Sequence, residues 1–162
     1  MRNFFKRKKK YKGNAENKGP SKLKAKKFEY HPKIILAWAK AIEGNVDLLK
    51  YLNENGYEEL VMAAHAIKLK DKARDWLMEN GYPHVMAMIN ASEGNAQALN
   101  WLRANNFMLF YNMAKAIDGE KEGFEWINMN STQDIFLLTK SIKKVKDDIE
   151  EAHNDIHKRS TE

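Results

Sequence analysis

From residue 32 onward the apolar residues fall at helical spacing. Ile35, Trp38, Ala39 and Ile42 stand at i, i+3, i+4 and i+7, and the pattern returns at Leu60, Ala63, Ala64, Ile67 and at Phe110, Met113, Ala114, Ile117. This period predicts amphipathic helices rather than strands, whose apolar positions would alternate. A second helix is expected after each, at roughly Val46–Glu54, Lys70–Glu79, Ala96–Ala104 and Lys121–Met129. Its inner column is small at Ala73, Ala98 and Gly123, with Leu48 the exception. An aromatic column (Tyr51, Trp76, Trp101, Trp126) and an aliphatic one (Leu52, Leu77, Leu102, Ile127) follow three and four residues later on the same face.

The joints carry their own signals. Glu43-Gly44-Asn45 and Glu93-Gly94-Asn95 read as turns in which glycine adopts positive φ, and Asn45 and Asn95 as N-caps of the second helices. Asn55-Gly56 and Asn80-Gly81 have the left-handed-tolerant residues expected past a helix end. Pro32 and Pro83 suit a first helical turn, where no N–H is needed.

These features recur every 25 residues. Segments beginning at Ala41, Ala66, Ala91 and Ala116 align without a gap, Ser141-Ile142 opens a fifth, and Asn55, Asn80, Asn105 and Asn130 form an invariant column. Such self-similarity marks a repeat architecture, in which a single helix pair cannot bury its apolar face but a stack can. The expected fold class is all-α: an α-solenoid of about five short helix-turn-helix units, near 32–55, 58–80, 83–105, 108–130 and 133–157. The domain would span 31–158, after a basic, largely disordered arm at 1–30 and before a tail at 159–162. In the last unit Ile142-Lys143-Lys144-Val145 replaces the glycine turn, so the helix from Gln133 is expected to run on to His157 as a cap, with a thin stripe of Ile142, Val145, Ile149, Ala152 and Ile156.

The segment Gly44-Asn45-Val46-Asp47-Leu48-Leu49-Lys50-Tyr51-Leu52-Asn53-Glu54-Asn55-Gly56 resembles the second helix and exit turn of an ankyrin repeat, and Ala63-Ala64-His65-Ala66 resembles that family's Ala-rich first helix. The likeness covers the helical part of residues 32–130 and implies stacked helix pairs with a recognition surface. Ankyrin units run 33 residues and open on Thr-Pro-Leu-His, which no copy has here. Gly56-Tyr57 leads straight into the next helix, so the β-hairpin finger and its binding mode are not implied.

Charge divides the chain in a way its net +6 conceals. Residues 1–27 hold twelve Lys/Arg and one acid, Glu16, whereas the remainder holds sixteen bases and twenty-one acids. The arm opens Met1-Arg2-Asn3-Phe4-Phe5 and continues at once into Lys6, Arg7, Lys8, Lys9, Lys10 and Lys12. A signal peptide would need about 7–15 apolar residues there, so a cytoplasmic location is expected. Three readings attach to the arm: a solvated tail, a phosphate anchor for RNA or DNA through counterion release, or an anchor to an anionic membrane in which Phe4 and Phe5 insert beside the cations. No apolar run is long enough to span a bilayer, which takes about 18–20 residues.

No catalytic motif is present: no phosphate-binding glycine loop with its lysine, no zinc-protease helix and no nucleophile elbow. With no Cys, a disulfide framework and thiolate chemistry are excluded. His153 and His157, four apart with Glu150 nearby, have the spacing of two metal ligands, but a charged helix produces it by chance and no metal site is assigned. The Tyr51, Trp76, Trp101, Trp126 column invites a base-stacking ladder, against packing between repeats. A polar column, Lys40, His65, Asn90, Lys115 and Lys140, is the candidate partner-facing ridge. The expectation is a non-enzymatic interaction module without a cofactor, its protein partner unidentified, anchored by its arm to a polyanion; the alternative is an RNA- or DNA-binding protein using arm and helical surface together.

Overall fold

A computed structural model describes residues 24–159, with side chains as far as Ile156. The described residues form nine helices and no strand. These are α1 (Pro32–Ile42), α2 (Val46–Glu54), α3 (Glu58–Ile67), α4 (Asp71–Glu79), α5 (Pro83–Ser92), α6 (Ala96–Ala104), α7 (Met108–Ile117), α8 (Lys121–Asn130) and α9 (Gln133–Arg159). The helix ends follow from local chemistry. Asn45 and Asn95 accept from the N–H groups of Leu48 and Ala98 at 3.0 and 2.9 Å, satisfying donors that no helical carbonyl reaches. Pro32 and Pro83 stand in the first turns of α1 and α5. The turn between the helices of a pair needs a left-handed residue, Gly94 at φ +88 for example; in the second pair Leu69 holds that conformation at φ +63, unfavourable for a branched side chain.

The invariant asparagines have a definite task. The side-chain amides of Asn55, Asn80, Asn105 and Asn130 donate to the main-chain carbonyls of Tyr51, Trp76, Trp101 and Trp126, at 2.8 to 2.9 Å. Each adds a side-chain donor to a carbonyl in the last turn of its helix, which Asn55, Asn80 and Asn105 also reach through their main-chain N–H groups. The aromatic residues themselves are anchored nearby: Trp76 stacks on Tyr82 with ring centroids 6.1 Å apart, and Trp101 on Phe107 at 5.6 Å.

The odd-numbered helices pack in succession, and each even-numbered helix lies against the odd helix before it and the one after it. The column of small residues is where the helices approach most closely. At Gly123 a Cβ would stand 2.4 Å from the Ala116 nitrogen and 2.7 Å from the Asn112 oxygen, both main-chain atoms of α7. Leu52, Leu77, Leu102 and Ile127 are fully buried. α5, in the middle of the row, is buried over nearly its whole surface.

The row does not stay open. α9 packs extensively on α1 as well as on α7 and α8, so the first and last odd helices are neighbours. Beyond that seam α9 continues across the C-terminal ends of the others. Lys146 donates to the Ser92 carbonyl at the end of α5 and pairs with Asp118, 3.3 Å away, just past α7. A cation there complements the negative end of a helix dipole.

At the opposite end residues 24–31 run as non-helical chain over the packed body. The Lys26 N–H donates to the Gly81 carbonyl at 2.9 Å. Phe28 makes edge contacts with Tyr30, Trp38, Tyr82, His84 and Phe110, at centroid distances from 5.0 to 6.3 Å. The Tyr30 hydroxyl donates to Glu59 at 2.6 Å. The packed body therefore begins several residues before 31, because an aromatic pair outweighs the lysines around it. The disorder expected of the arm concerns residues 1–23, which lie outside the described residues.

Candidate protein-interaction surface

Where α9 meets α1 the outer surface is a groove of about 500 Å³, lined by Leu36, Ala39, Lys40 and Glu43 of α1 and its exit and by Leu137, Lys140, Ser141 and Lys144 of α9. Leu36 and Leu137 are 40% and 41% exposed. Their counterparts elsewhere in the row are not: Val61 and Met86, in the Leu36 column, are 8% and 4% exposed, and Ala87 and Asn112, in the Leu137 column, are 9% and 6%. The difference follows from the helix order. α3 and α5 have an even-numbered helix packed on them from the preceding pair, whereas no helix among the described residues precedes α1. α7 has α8 lying on its Asn112–Ala116 face, whereas α9 runs on as one helix and never folds back over Leu137.

The groove's polar rim is ordered. The Ser141 hydroxyl donates to the Glu43 carboxylate, and Lys40 reaches the same carboxylate at 2.9 Å. The Ser141 hydrogen bond, then Lys40, hold Glu43 below the usual carboxylate range. Lys144 pairs with Asp148 at 2.9 Å. The Lys140 ammonium lies 5.7 Å from the centre of the Phe136 ring, and no carboxylate of the described residues stands within ion-pair distance of it.

The five residues of the polar column hold equivalent places in the last turns of α1, α3, α5 and α7 and within α9. Lys40 and Lys140, its two ends, come together across the groove. The inner three do not join them. Lys115 is half-buried and turned to Glu120, 2.9 Å away, a hydrogen bond that raises its pKa. His65 is half-buried, and burial, then Lys70 and Lys68, lower its pKa. Asn90 lines a separate cleft with Met78, Met86 and Trp101. Leu36, Leu137 and Lys144 were not singled out from the sequence. The signal for Leu36 and Leu137 is that their columns are buried at Val61, Met86, Ala87 and Asn112 in the middle of the row, which matters only once the ends are known to meet.

On the inner side of the same seam lies a cavity of about 330 Å³, apolar apart from Glu29, Thr132 and Asp134 at its edge. Trp38 lines it, and the buried Trp38 Nε1 has no hydrogen-bond partner. Beyond Phe28 sits His84, 2% exposed, between Phe107 and Phe110 at 5.1 Å each. Burial alone pushes its imidazole down to about 4.

Lys6, Arg7, Lys8, Lys9, Lys10 and Lys12 of the arm lie outside the described residues, as does the side chain of His157. Among the described residues no three His, Asp or Glu side chains are grouped so as to hold a metal ion, and no helix is long and apolar enough to cross a membrane. No protein-family model, no curated protein and no solved structure matches the chain. The ankyrin likeness thus rests on the helix and turn pattern alone.

Proposed function

We propose that this chain is a non-enzymatic protein-interaction module whose basic arm holds it to a polyanion, in the cytoplasm. On this reading residues 32–159 are an α-solenoid of 25-residue helix pairs that curves round until its last helix meets its first. The regular start of the even-numbered helices, at Val46, Asp71, Ala96 and Lys121, supports the repeat. The single observation that carries the function is the groove at the seam, where two large aliphatic side chains of adjoining helices stand exposed although their counterparts Val61, Met86, Ala87 and Asn112 are buried. Apolar surface of that kind, bounded by charge, is what a binding partner covers.

The arm contributes affinity of another sort. Its cations release counterions from a phosphate polymer, so binding should weaken steeply with salt. The test is the full chain against a chain lacking residues 1–23, with a single-stranded RNA oligonucleotide, a DNA duplex and anionic vesicles as probes at low and high salt. The truncation should lose polyanion binding while keeping the full chain's circular dichroism and melting temperature. Retention of RNA or DNA binding by the truncated chain, with quenching of its tryptophans, would instead establish the alternative in which the helical surface contacts nucleic acid.

A further inference from the structure

We propose that the seam groove docks one amphipathic α-helix of a protein partner, a helix that flanks its apolar face with carboxylates; the proposal rests on the protein-binding reading above and gives the partner its chemistry. The architecture itself shows what such a groove accepts. Every other pair of neighbouring odd helices carries an even-numbered helix packed on both members: α2 on α1 and α3, α4 on α3 and α5, α6 on α5 and α7, α8 on α7 and α9. Between α9 and α1 no helix of the described residues is placed, and Leu36 and Leu137 stand exposed there. The seam is a fifth position of the same kind without its helix.

Those four helices also specify the apolar side of the occupant. Three of them bring a small residue, Ala73, Ala98 or Gly123, followed by Trp at +3 and Leu or Ile at +4. The small residue lets the helix sit down on the main chain below, as Gly123 does on Asn112 and Ala116. The aliphatic residue is fully buried, and the aromatic one covers the flank. Leu137 and Ser141 hold the places of Asn112 and Ala116 on α9. A partner helix with a small residue, an aromatic at +3 and an aliphatic at +4 would meet the same arrangement, with Leu36 supplying the opposite wall.

Charge decides what flanks that face. Lys40, Lys140 and Lys144 line the groove with Glu43. Lys40 pairs with Glu43 and Lys144 with Asp148, which leaves Lys140, among the described residues, as the lysine of the groove without a carboxylate partner. This cationic rim sits on a body, residues 24–162, with nineteen Lys/Arg and twenty-one Asp/Glu. Carboxylates on the incoming helix would be drawn to it and lysines repelled. The chain's own arm, nine Lys/Arg against one Glu over residues 1–23, has the wrong sign to fill it.

The experiment pans a display library of 18-residue helical peptides against the full chain and, in parallel, against Leu137→Asp and Lys140→Glu variants. Both substituted positions are exposed, and unchanged circular dichroism and melting will show that the variants fold. Peptides enriched on the parent chain should carry the small–aromatic–aliphatic register flanked by Asp and Glu. Synthesised with a fluorophore, they should bind at least tenfold more weakly to Leu137→Asp and at least fivefold more weakly to Lys140→Glu. Methyl resonances of Leu36 and Leu137 should shift on titration. Enrichment of peptides indifferent to both variants would overturn the groove and leave the protein-binding reading standing. Enrichment of lysine-rich helices would overturn the partner's chemistry. A concentration-dependent dimer of the full chain, abolished by Leu137→Asp, would make a second copy the occupant and overturn the proposal. No enrichment at all, together with oligonucleotide binding by the chain lacking residues 1–23, would remove this proposal and the protein-binding reading alike.

Discussion

Gly123→Ala separates two effects that act in opposite directions at one atom. Gly123 lies within α8, three residues into the helix, where replacing glycine by alanine on an unobstructed surface stabilises a helix by about 1 kcal/mol. Here the new methyl would stand 2.4 Å from the Ala116 nitrogen, 2.7 Å from the Asn112 oxygen and 2.9 Å from the Ala116 Cα, where ordinary contacts begin near 3.4 Å. All three atoms are main chain and cannot swing aside as a side-chain tip would. α8 must therefore lift from α7 by about 1 Å, a distance at which dispersion contacts are substantially lost. The move opens the packing around Ile127, which is fully buried. Overpacking of this kind costs about 1–3 kcal/mol, and a contact with rigid backbone belongs to the upper part of that range. After subtracting the propensity gain, the variant should be about 1–2 kcal/mol less stable than the parent. Urea unfolding followed by helical circular dichroism measures this as a lower midpoint at an unchanged slope. The control is Ala98→Gly, at the corresponding position of α6, which should lose about 1 kcal/mol through backbone entropy and lost contact. A Gly123→Ala protein as stable as the parent, or more so, would refute the reading of this column as the line of closest helix approach.

Two further outcomes follow from the aromatic cluster. His84 is neutral when folded, with its imidazole held down to about 4 by burial, whereas the unfolded chain takes up a proton below about pH 6.5. The stability tied to this group is thus complete above pH 6.5 and lost as the pH falls towards 4, a change of about 3 kcal/mol; in His84→Phe the urea midpoint should depend less on pH across that window, and an identical pH dependence would count against it. Phe28→Ala should lower stability by about 2–4 kcal/mol, somewhat under the figure for a fully buried phenylalanine, since Phe28 is only partly buried but touches five rings. A chain starting at residue 24 should match the full chain in thermal melting while one starting at residue 31 does not, and equal melting of the two would show that Phe28 adds nothing.

Much of the local structure was legible because each signal acts over a few residues. The expected second helices coincide with α2 and α6 and differ by one residue from α4 and α8. Asn45 and Asn95 are caps, and α9 continues unbroken through the place where the glycine turn is missing. Leu69 shows the limit of turn chemistry: it holds a positive φ that a branched side chain disfavours, at the place where Gly44, Gly94 and Gly119 stand in the other pairs. The meeting of α9 with α1 had no local signal, since it joins residues far apart in the chain, Ser141 and Glu43 for example. The seam groove was illegible for the same reason, although Lys40 and Lys140, two of its residues, stood in the polar column. Phe28 and Tyr30 were hidden differently: their neighbours Lys24, Lys26 and Lys27 dominate the composition, but side chains pack individually.

That last point alters the electrostatics of the whole chain. If the body begins at residue 24, Lys24, Lys26 and Lys27 belong to it, and Lys26 places its ammonium 5.4 Å from the centre of the Tyr82 ring with its main chain bonded to Gly81. The arm then keeps nine bases against one acid, and the body holds nineteen bases against twenty-one acids instead of sixteen against twenty-one. A body so close to neutral does not repel phosphate. Its overall charge therefore cannot decide between protein and nucleic acid as the ligand of the helical surface. The decision passes to where the charges stand. Trp76 and Trp101 have one ring face occupied by Tyr82 and Phe107, which weakens a base-stacking ladder. The lysines of the seam instead surround exposed leucines, an arrangement suited to a helix with an apolar face and acidic flanks rather than to a phosphate backbone, which offers no apolar surface to cover Leu36 and Leu137.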